Sequence, residues 1–338
     1  MSHATLPAFV QALLKPDCYN HPAPDIQLVQ THISLVLLAG DFVYKFKKPV
    51  NFGFLDFSDL EKRLACCNQE LLLNRRLCPD IYLDLVTVTR EADGSFALNG
   101  AGEVVEYGVR MVRMPEERMM VHLIRAGQLE AAHIDALVEV LAEFYRRAER
   151  NAIIDGFGTA AAVAVNVLEN FEQTRDFIGQ GALGQEQFER ISEFSRRFLE
   201  QEDIFQRRIE GGYIRDCHGD LYSANICLAD KVYIYDCIEF NERFRYSDVA
   251  ADVAFLAMDL DFHGLEAFSK RLIAGFTAAS ADTGLVEVLD FYKCYRAYVR
   301  GKIGLFTAGD PAVAPEERAA CIENASRYFR LAERYATR

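Results

Sequence analysis

The residues best suited to chemistry lie in one stretch, Arg215 to Phe240, which reads RDCHGDLYSANICLADKVYIYDCIEF. It holds His218, Gly219 and Asp220, then Asn225 five residues on, then Asp236 directly after the β-branched and aromatic run Val232 to Tyr235. A loop that leaves a strand, presents a carboxylate and returns a side-chain amide, followed by a strand that delivers a second carboxylate, suits phosphoryl transfer. One carboxylate orients and deprotonates a hydroxyl, while amide and carboxylate oxygens are hard ligands for a Mg²⁺ that bridges nucleotide phosphates. On this reading Asp220 is the base, and Asn225 and Asp236 are the metal ligands. An HGD tripeptide alone arises by chance, and an aspartate after a strand often begins a turn. The specific signal is the combination H-G-D-x-x-x-x-N followed by strand and aspartate.

Such chemistry needs a lysine for the nucleotide phosphates, and Phe42-Val43-Tyr44-Lys45 supplies one on a strand. Side chains alternate across a strand, so Val43 and Lys45 share a face; Val43 could roof the adenine while Lys45 reaches the phosphates. Lys47 lies on the same face and Lys48 is adjacent, so the residues alone leave the choice open, with a solvated basic edge as the bland alternative. A partner carboxylate for the lysine is expected on the helix that follows. Glu70 lies one step from the stripe Leu60, Leu64, Cys67 and Leu71 and can point inward, whereas Glu61 reads as part of a capping box, Ser58-Asp59-Leu60-Glu61.

The elements that must position these groups fall into two parts. Ile26 to Lys48 reads as strand, bend, strand, tight turn at Ala39-Gly40-Asp41, strand. A helix opens near Ser58 and closes before Pro79, and further strands are expected at Asp84 to Thr89, Phe96 to Leu98 and Val104 to Val112. Beyond Pro115 the period becomes helical: Ile134 to Arg150, Val163 to Ile178, Gln185 to Ile209, and from Asp248 to the C-terminus. Short strands interrupt at Tyr213 to Cys217, Asn225 to Leu228 and Val232 to Tyr235. The expected organisation is an N-terminal helical extension over 1–25, a β-rich lobe over 26–112 and a helical lobe over 113–338, with a hinge near Arg113.

Composition sets outer bounds. The chain has 338 residues with 51% apolar and 26% charged, enough to bury a core without disulfides or metals. Its net charge of -13 repels a phosphate backbone, so no nucleic-acid partner is expected. No apolar run approaches the roughly 18 residues of a membrane span, and the N-terminus lacks the basic and apolar regions of a signal peptide. The nine cysteines are odd in number with no CxxC pair, which points to reduced thiols and a cytoplasmic location.

HGDLYSAN and the later YDCIEF resemble the aminoglycoside phosphotransferase family, a branch of the protein-kinase-like fold, over about Ile26 to Tyr335. More closely, THISLVLLAGDFVYKFKKPVNFGFLDFSDLEKR, DCIEFNERFRYSDVAADVAFLAMDL and YKCYRAYVRGKI are similar to a bacterial subgroup in which many members carry a C-terminal P-loop ATPase domain. No GxxxxGK[ST] stands in this sequence, so that second domain is expected to be absent. The resemblance implies an α+β, two-lobed kinase-like fold, ATP or GTP as donor, Mg²⁺, and a hydroxyl on a small molecule as acceptor. It also implies that Met111 to Met114, with Arg113, form a hinge whose backbone bonds the adenine edge, and that Asp252 holds the loop around Asp220. The glycine-rich phosphate loop of protein kinases is replaced by Gln30-Thr31-His32-Ile33-Ser34, where backbone N–H groups with the Thr31 or Ser34 hydroxyl could still cradle phosphate. His218 reads as a brace rather than a base.

Lys293, Arg296 and Arg300 recur on one helix face, suited either to an acidic substrate or to local carboxylates. Asp259, Asp261 and His263 could line the acceptor pocket or end a helix. Rival functions are a non-catalytic nucleotide-binding module, a kinase or AMP-transferase acting on protein, and a metallophosphoesterase, for which the seven scattered histidines offer little support.

Overall fold

Runs rich in β-branched, aromatic and leucine side chains give the N-terminal region its sheet. The computed structural model describes residues 6–311 and 313–338, so residues 1–5 of the expected N-terminal extension lie outside the described residues. Contacts divide the chain into two units: 1–119 together with 233–242, and 120–232 together with 243–338. The run carrying Asp236 thus packs with the first unit, and that unit continues to Met119, past the hinge expected near Arg113.

In the first unit, helix α1 (Ala8–Leu13) precedes β1 (Ile26–Gln30), β2 (Ser34–Ala39) and β3 (Phe42–Lys47); then come α2 (Leu60–Asn74), β4 (Tyr82–Arg90), β5 (Phe96–Leu98) and β6 (Glu103–Val112). The strands form one antiparallel sheet in the order β1-β2-β3-β6-β4-β5. Leu35, Leu37, Ala39, Tyr44 and Phe46 point to one face, where they form a core with Val10 and Leu13 of α1. The intervening Val43, Lys45 and Lys47 therefore take the other face. Gly108 of β6 is required by close approach, since a Cβ there would lie 2.6 Å from the Phe46 ring.

Two local expectations for α2 shift. Asp59, not Ser58, is the N-cap, its carboxylate accepting the Lys62 N–H at 2.8 Å, so Glu61 sits one position too early to close a capping box. The buried face is Arg63, Cys66, Cys67, Glu70, Leu71, Leu73 and Asn74, with Leu60 and Leu64 half-buried at its rim.

The second unit is mostly helical. Its elements are α3 (Met120–Arg125), α4 (Ala131–Arg147), α5 (Ala152–Gly156), α6 (Ala160–Thr174), α7 (Gln185–Leu199) and α8 (Glu202–Glu210), then β7 (Ile214–Asp216) and β8 (Ile226–Leu228). After β9 (Val232–Ile234) and the short α9 (Glu242–Arg245) come β10 (Tyr246–Asp248), α10 (Val249–Phe262), α11 (Glu266–Ser280), α12 (Leu285–Gly309) and α13 (Pro315–Ala336). The single helix expected over Gln185 to Ile209 breaks at Gln201, whose ψ of 62° leaves the helical region. The break lets Phe198 stack on Phe291, with ring centres 4.4 Å apart, while Phe205 meets the same ring edge-on from α8. Helix α10 is buried from Val249 to Asp261, so its carboxylates Asp252, Asp259 and Asp261 must find partners inside the protein. Asp248 caps it by accepting the Ala250 N–H at 2.8 Å.

Candidate functional site

Lys45 projects from β3 on the face that α2 covers, and two other parts of the first unit converge on it. Its ammonium lies 2.7 Å from Glu70 Oε1 and 2.5 Å from Asp236 Oδ1. Glu70, fully buried, reaches Lys45 through one oxygen and Lys47 Nζ through the other, at 2.6 Å. Both contacts are short but off the hydrogen-bond axis, so charge rather than aligned hydrogen bonding holds Glu70. Lys47, also fully buried, pairs in addition with Glu239. The result is a row of alternating charges: Asp236, Lys45, Glu70, Lys47, Glu239.

Electrostatics follow from that row. Burial works against the Lys45 charge, but Asp236 and then Glu70 more than offset it and hold its pKa well above the ordinary lysine value. Burial likewise pushes the Glu70 carboxyl up, and Lys45 and Lys47 pull it further down, so it stays ionised below the usual carboxylate range.

Asp236 occupies an uncommon backbone state for a residue with a side chain, φ +62°. Its turn is fixed from both sides: the Asp236 N–H donates to the Tyr82 hydroxyl at 3.3 Å, and the Cys237 N–H to Asn74 Oδ1 at 2.9 Å. The Asp236 side chain keeps 42% of its surface exposed, which suits a group that must meet a ligand.

Val43 and Met111 are cross-strand partners, as are Lys45 and Val109, so the expected adenine-side residues share one patch of sheet. The N–H groups of Val112 and Arg113 are already donated to Ile81 O and Asp41 O, at 2.9 and 2.8 Å. Met114 and Arg113 line a shallow recess with Asp41, Pro115, Glu116 and Glu117. Thr31 is exposed, and its hydroxyl oxygen accepts the Ser34 N–H at 2.9 Å. Ser34 is only 1% exposed, so of the two expected phosphate-side hydroxyls only that of Thr31 is at the surface.

In the second unit, the loop from His218 to Asn225 is gripped by α10. Asp252 accepts the His218 N–H at 2.7 Å and the Gly219 N–H at 3.1 Å, and Asp259, seven residues on and so on the same helix face, accepts the Ser223 N–H at 3.0 Å. Gly219 adopts φ +86°, open to glycine, which turns consecutive N–H groups toward one carboxylate. Tyr145 donates its hydroxyl to Asp252 at 3.0 Å, and Arg296 donates to Gly219 O at 3.0 Å. The Asp220 N–H donates to His218 Nδ1 at 3.3 Å, which makes the histidine a brace. Asn225 Nδ2 donates to Asp220 Oδ2 at 3.0 Å and to the Asp220 carbonyl at 3.0 Å, so the two residues that the sequence spacing pairs are brought together.

Glu239, Asn74 and Tyr82 are not marked by any sequence motif, and Lys47 is marked only as a rival to Lys45. Asn74 carried a usable signal, being four residues beyond Glu70 on the same helix face. Asp261 pairs with Lys293 and Tyr335 inside the unit, so it and Asp259 serve structure.

No family model matches the chain. Uncharacterized proteins of Mycobacterium tuberculosis and Mycobacterium bovis are each 36% identical to it over 306 residues, which cover 88% of this chain and 59% of the relative. The chain therefore spans 59% of the length of the curated relatives it matches. Similar solved structures include a Plasmodium vivax ethanolamine kinase, with 12% identity, TM-score 0.47 and coverage of 91% of this chain and 84% of that one. Another is a spectinomycin phosphotransferase in complex with ADP and spectinomycin, with 11% identity, TM-score 0.48 and 98% of each chain covered. An aminoglycoside phosphotransferase from Streptomyces rimosus shows 17% identity, TM-score 0.47 and coverage of 87% and 97%. These neighbours share the protein-kinase-like fold. The α+β class expected from the sequence, a small antiparallel sheet with one long helix and a larger helical part, is the class observed. Among the described residues no helix is long and apolar enough to cross a membrane.

Proposed function

We propose that this chain is a kinase that transfers the γ-phosphoryl group of ATP or GTP to a hydroxyl of a small molecule, with Mg²⁺. The observation that carries the reading is the meeting of Lys45 with Glu70 and with Asp236, a residue 191 positions away in sequence that is held in a strained backbone state. Strain of that kind persists where the surroundings over-determine it, and functional sites are where it concentrates.

Lys45 would orient the nucleotide phosphates, while Glu70 keeps its ammonium in place and charged. Val43 and Met111 would cover the base, and a carbonyl of the run Met111 to Met114, or the Met114 N–H, would bond its edge. The Thr31 hydroxyl would sit toward the phosphates. Asp236, partly exposed in the first unit, and in the second the Asn225 carbonyl, whose amide nitrogen is occupied by Asp220, are each a hard oxygen donor of the kind Mg²⁺ accepts beside phosphate and water. Held by such donors, the metal would neutralise charge on the phosphate oxygens. Asp220 would take the acceptor's hydroxyl proton as the new P–O bond forms and the bond to the leaving nucleoside diphosphate oxygen breaks. His218, Asp252 and Arg296 position that loop. None of the nine cysteines is paired in a disulfide, which is in keeping with a reducing compartment such as the cytoplasm.

Incubation with labelled ATP and a fractionated metabolite extract tests the reading, with mass spectrometry of whatever gains one phosphoryl group. Binding of an ATP analogue without transfer to any acceptor would leave a nucleotide-binding module. Transfer only to protein would move the acceptor to a side chain, and manganese-dependent phosphate release without nucleotide would point to a phosphoesterase.

A further inference from the structure

The basic face of α12 resolves into residues of two kinds. Lys293 is occupied, its ammonium 2.9 Å from Asp261 Oδ2 and 3.0 Å from Ser269 Oγ. Arg296 is occupied by Gly219 O, by Ala251 O at 3.3 Å and by Asp252 at 3.4 Å. Arg300, one turn on, differs. Its guanidinium lies 4.7 Å from the centre of the Tyr222 ring and 5.7 Å from that of Tyr328. Its Nε is closed to solvent without a hydrogen-bond partner, and part of the residue's surface stays open. Among the described residues no carboxylate lies within ion-pairing distance of it; its guanidinium is hydrogen-bonded to Tyr328, and the charge of Asp220 reaches it from farther off.

A buried cation normally has an anion beside it, because aromatic faces return only part of the lost hydration. Rings that fix the plane of a guanidinium also fix its fork of N–H donors, a shape that matches carboxylate and phosphate. Tyr222 follows Asp220 by two residues on the same loop, so the ring against Arg300 and the group that would receive the acceptor's proton belong to one loop, and the charge of Asp220 is felt at Arg300.

We propose that Arg300, framed by Tyr222 and Tyr328, is an anion subsite for the acceptor, so that the hydroxyl compound phosphorylated here carries a carboxylate or a phosphate. The inference rests on the phosphotransferase reading and narrows it: a polycationic acceptor would be repelled by Arg300.

The test is calorimetric titration of the full chain and of its Arg300→Met and Arg300→Lys variants with glycerate, glycerol 3-phosphate, glycerol and choline. A non-hydrolysable ATP analogue with Mg²⁺ is titrated in parallel. The expected result is that glycerate or glycerol 3-phosphate binds the unmodified chain, and which of them binds better separates carboxylate from phosphate. That binding should weaken about 10- to 100-fold in Arg300→Met, the scale of a charged hydrogen bond, and less in Arg300→Lys. The analogue should bind all three proteins alike, which also reports that the variants are folded.

The anion subsite is overturned if choline binds in preference, if Arg300→Met leaves acid binding unchanged, if no acid binds a chain that binds the analogue, or if Arg300→Met weakens the analogue instead. Failure of the kinase reading looks different. The analogue then does not bind the unmodified chain, while an acid that still depends on Arg300 would keep the anion site standing; if neither binds, both ideas fall.

Discussion

The two candidate regions hold their groups in opposite ways. In the first unit Lys45, the lysine proposed for the phosphates, belongs to a row of five alternating charges, Asp236 to Glu239, so the atoms that would do chemistry also supply cohesion. In the second, buried Asp252 and Asp259 grip backbone N–H groups of the His218 to Asn225 loop, while the Asn225 amide bonds the Asp220 carboxylate at the loop's tip. Function and stability are therefore coupled in one region and separable in the other. A side chain changed in the charge row strands its neighbours, whereas one changed at the tip of the gripped loop leaves the grip intact.

The largest effect should come where the two are separable. Asp220→Asn is expected to lower the transfer rate by about 10²- to 10⁴-fold, the usual scale of acid–base catalysis. Its unfolding free energy in urea should stay within about 1 kcal/mol of the original. Undiminished turnover would remove Asp220 from the reaction, and a matching loss of stability would erase the contrast.

Glu70→Ala should behave the other way, destabilising by about 3–5 kcal/mol because Lys45 and Lys47 are left buried without their shared carboxylate. Urea unfolding measures it, and a loss below about 1 kcal/mol would show that the row contributes little cohesion. As a sharper form, Lys47→Met and Glu239→Gln combined should cost less than the sum of the two singles, since each alone strands the other's charge.

Acid should act on the same pair. With the folded pKa of Glu70 depressed, its contribution is full above the unfolded value of about 4.3 and is lost as pH falls through the folded one, at up to about 1.4 kcal/mol per unit of separation. Unfolding free energy recorded between pH 6 and 3, as conditions of measurement spanning about that unfolded value, should fall less steeply in Glu70→Gln than in the original. Equal slopes would remove Glu70 as a source of acid sensitivity.

The smallest effect is at the start of α2, away from both regions. Asp59→Ala should cost about 0.5–2 kcal/mol and Ser58→Ala less than about 0.5, and the reverse order would restore the cap to Ser58.

What the sequence made legible is what local pattern controls. Runs of β-branched and aromatic residues bounded by turn residues located β1 to β6, and the spacing of HGD to asparagine placed Asp220 beside Asn225. Glu70 could be chosen because helical period puts it on the face of Cys67 and Leu71. Glu239 could not, because nothing near it in sequence says that Lys47 lies opposite; that pairing is made across 192 positions by the folding of the chain. The cap moved by one residue because serine and aspartate are both good caps and only backbone geometry decides between them. The break at Gln201 was hidden because Phe198 and Phe205, one on each side of it, fit a continuous helical stripe until Phe291 takes both rings.

The left-handed backbone at Asp236 dictates how its carboxylate can be interrogated. Asparagine tolerates that conformation and keeps the side chain's outline, so Asp236→Asn subtracts the charge alone. Alanine deletes the same charge but adds about 1 kcal/mol of backbone penalty. The two replacements should separate in melting temperature while agreeing in any loss of metal-dependent activity, so alanine scanning here would overstate what the carboxylate itself contributes.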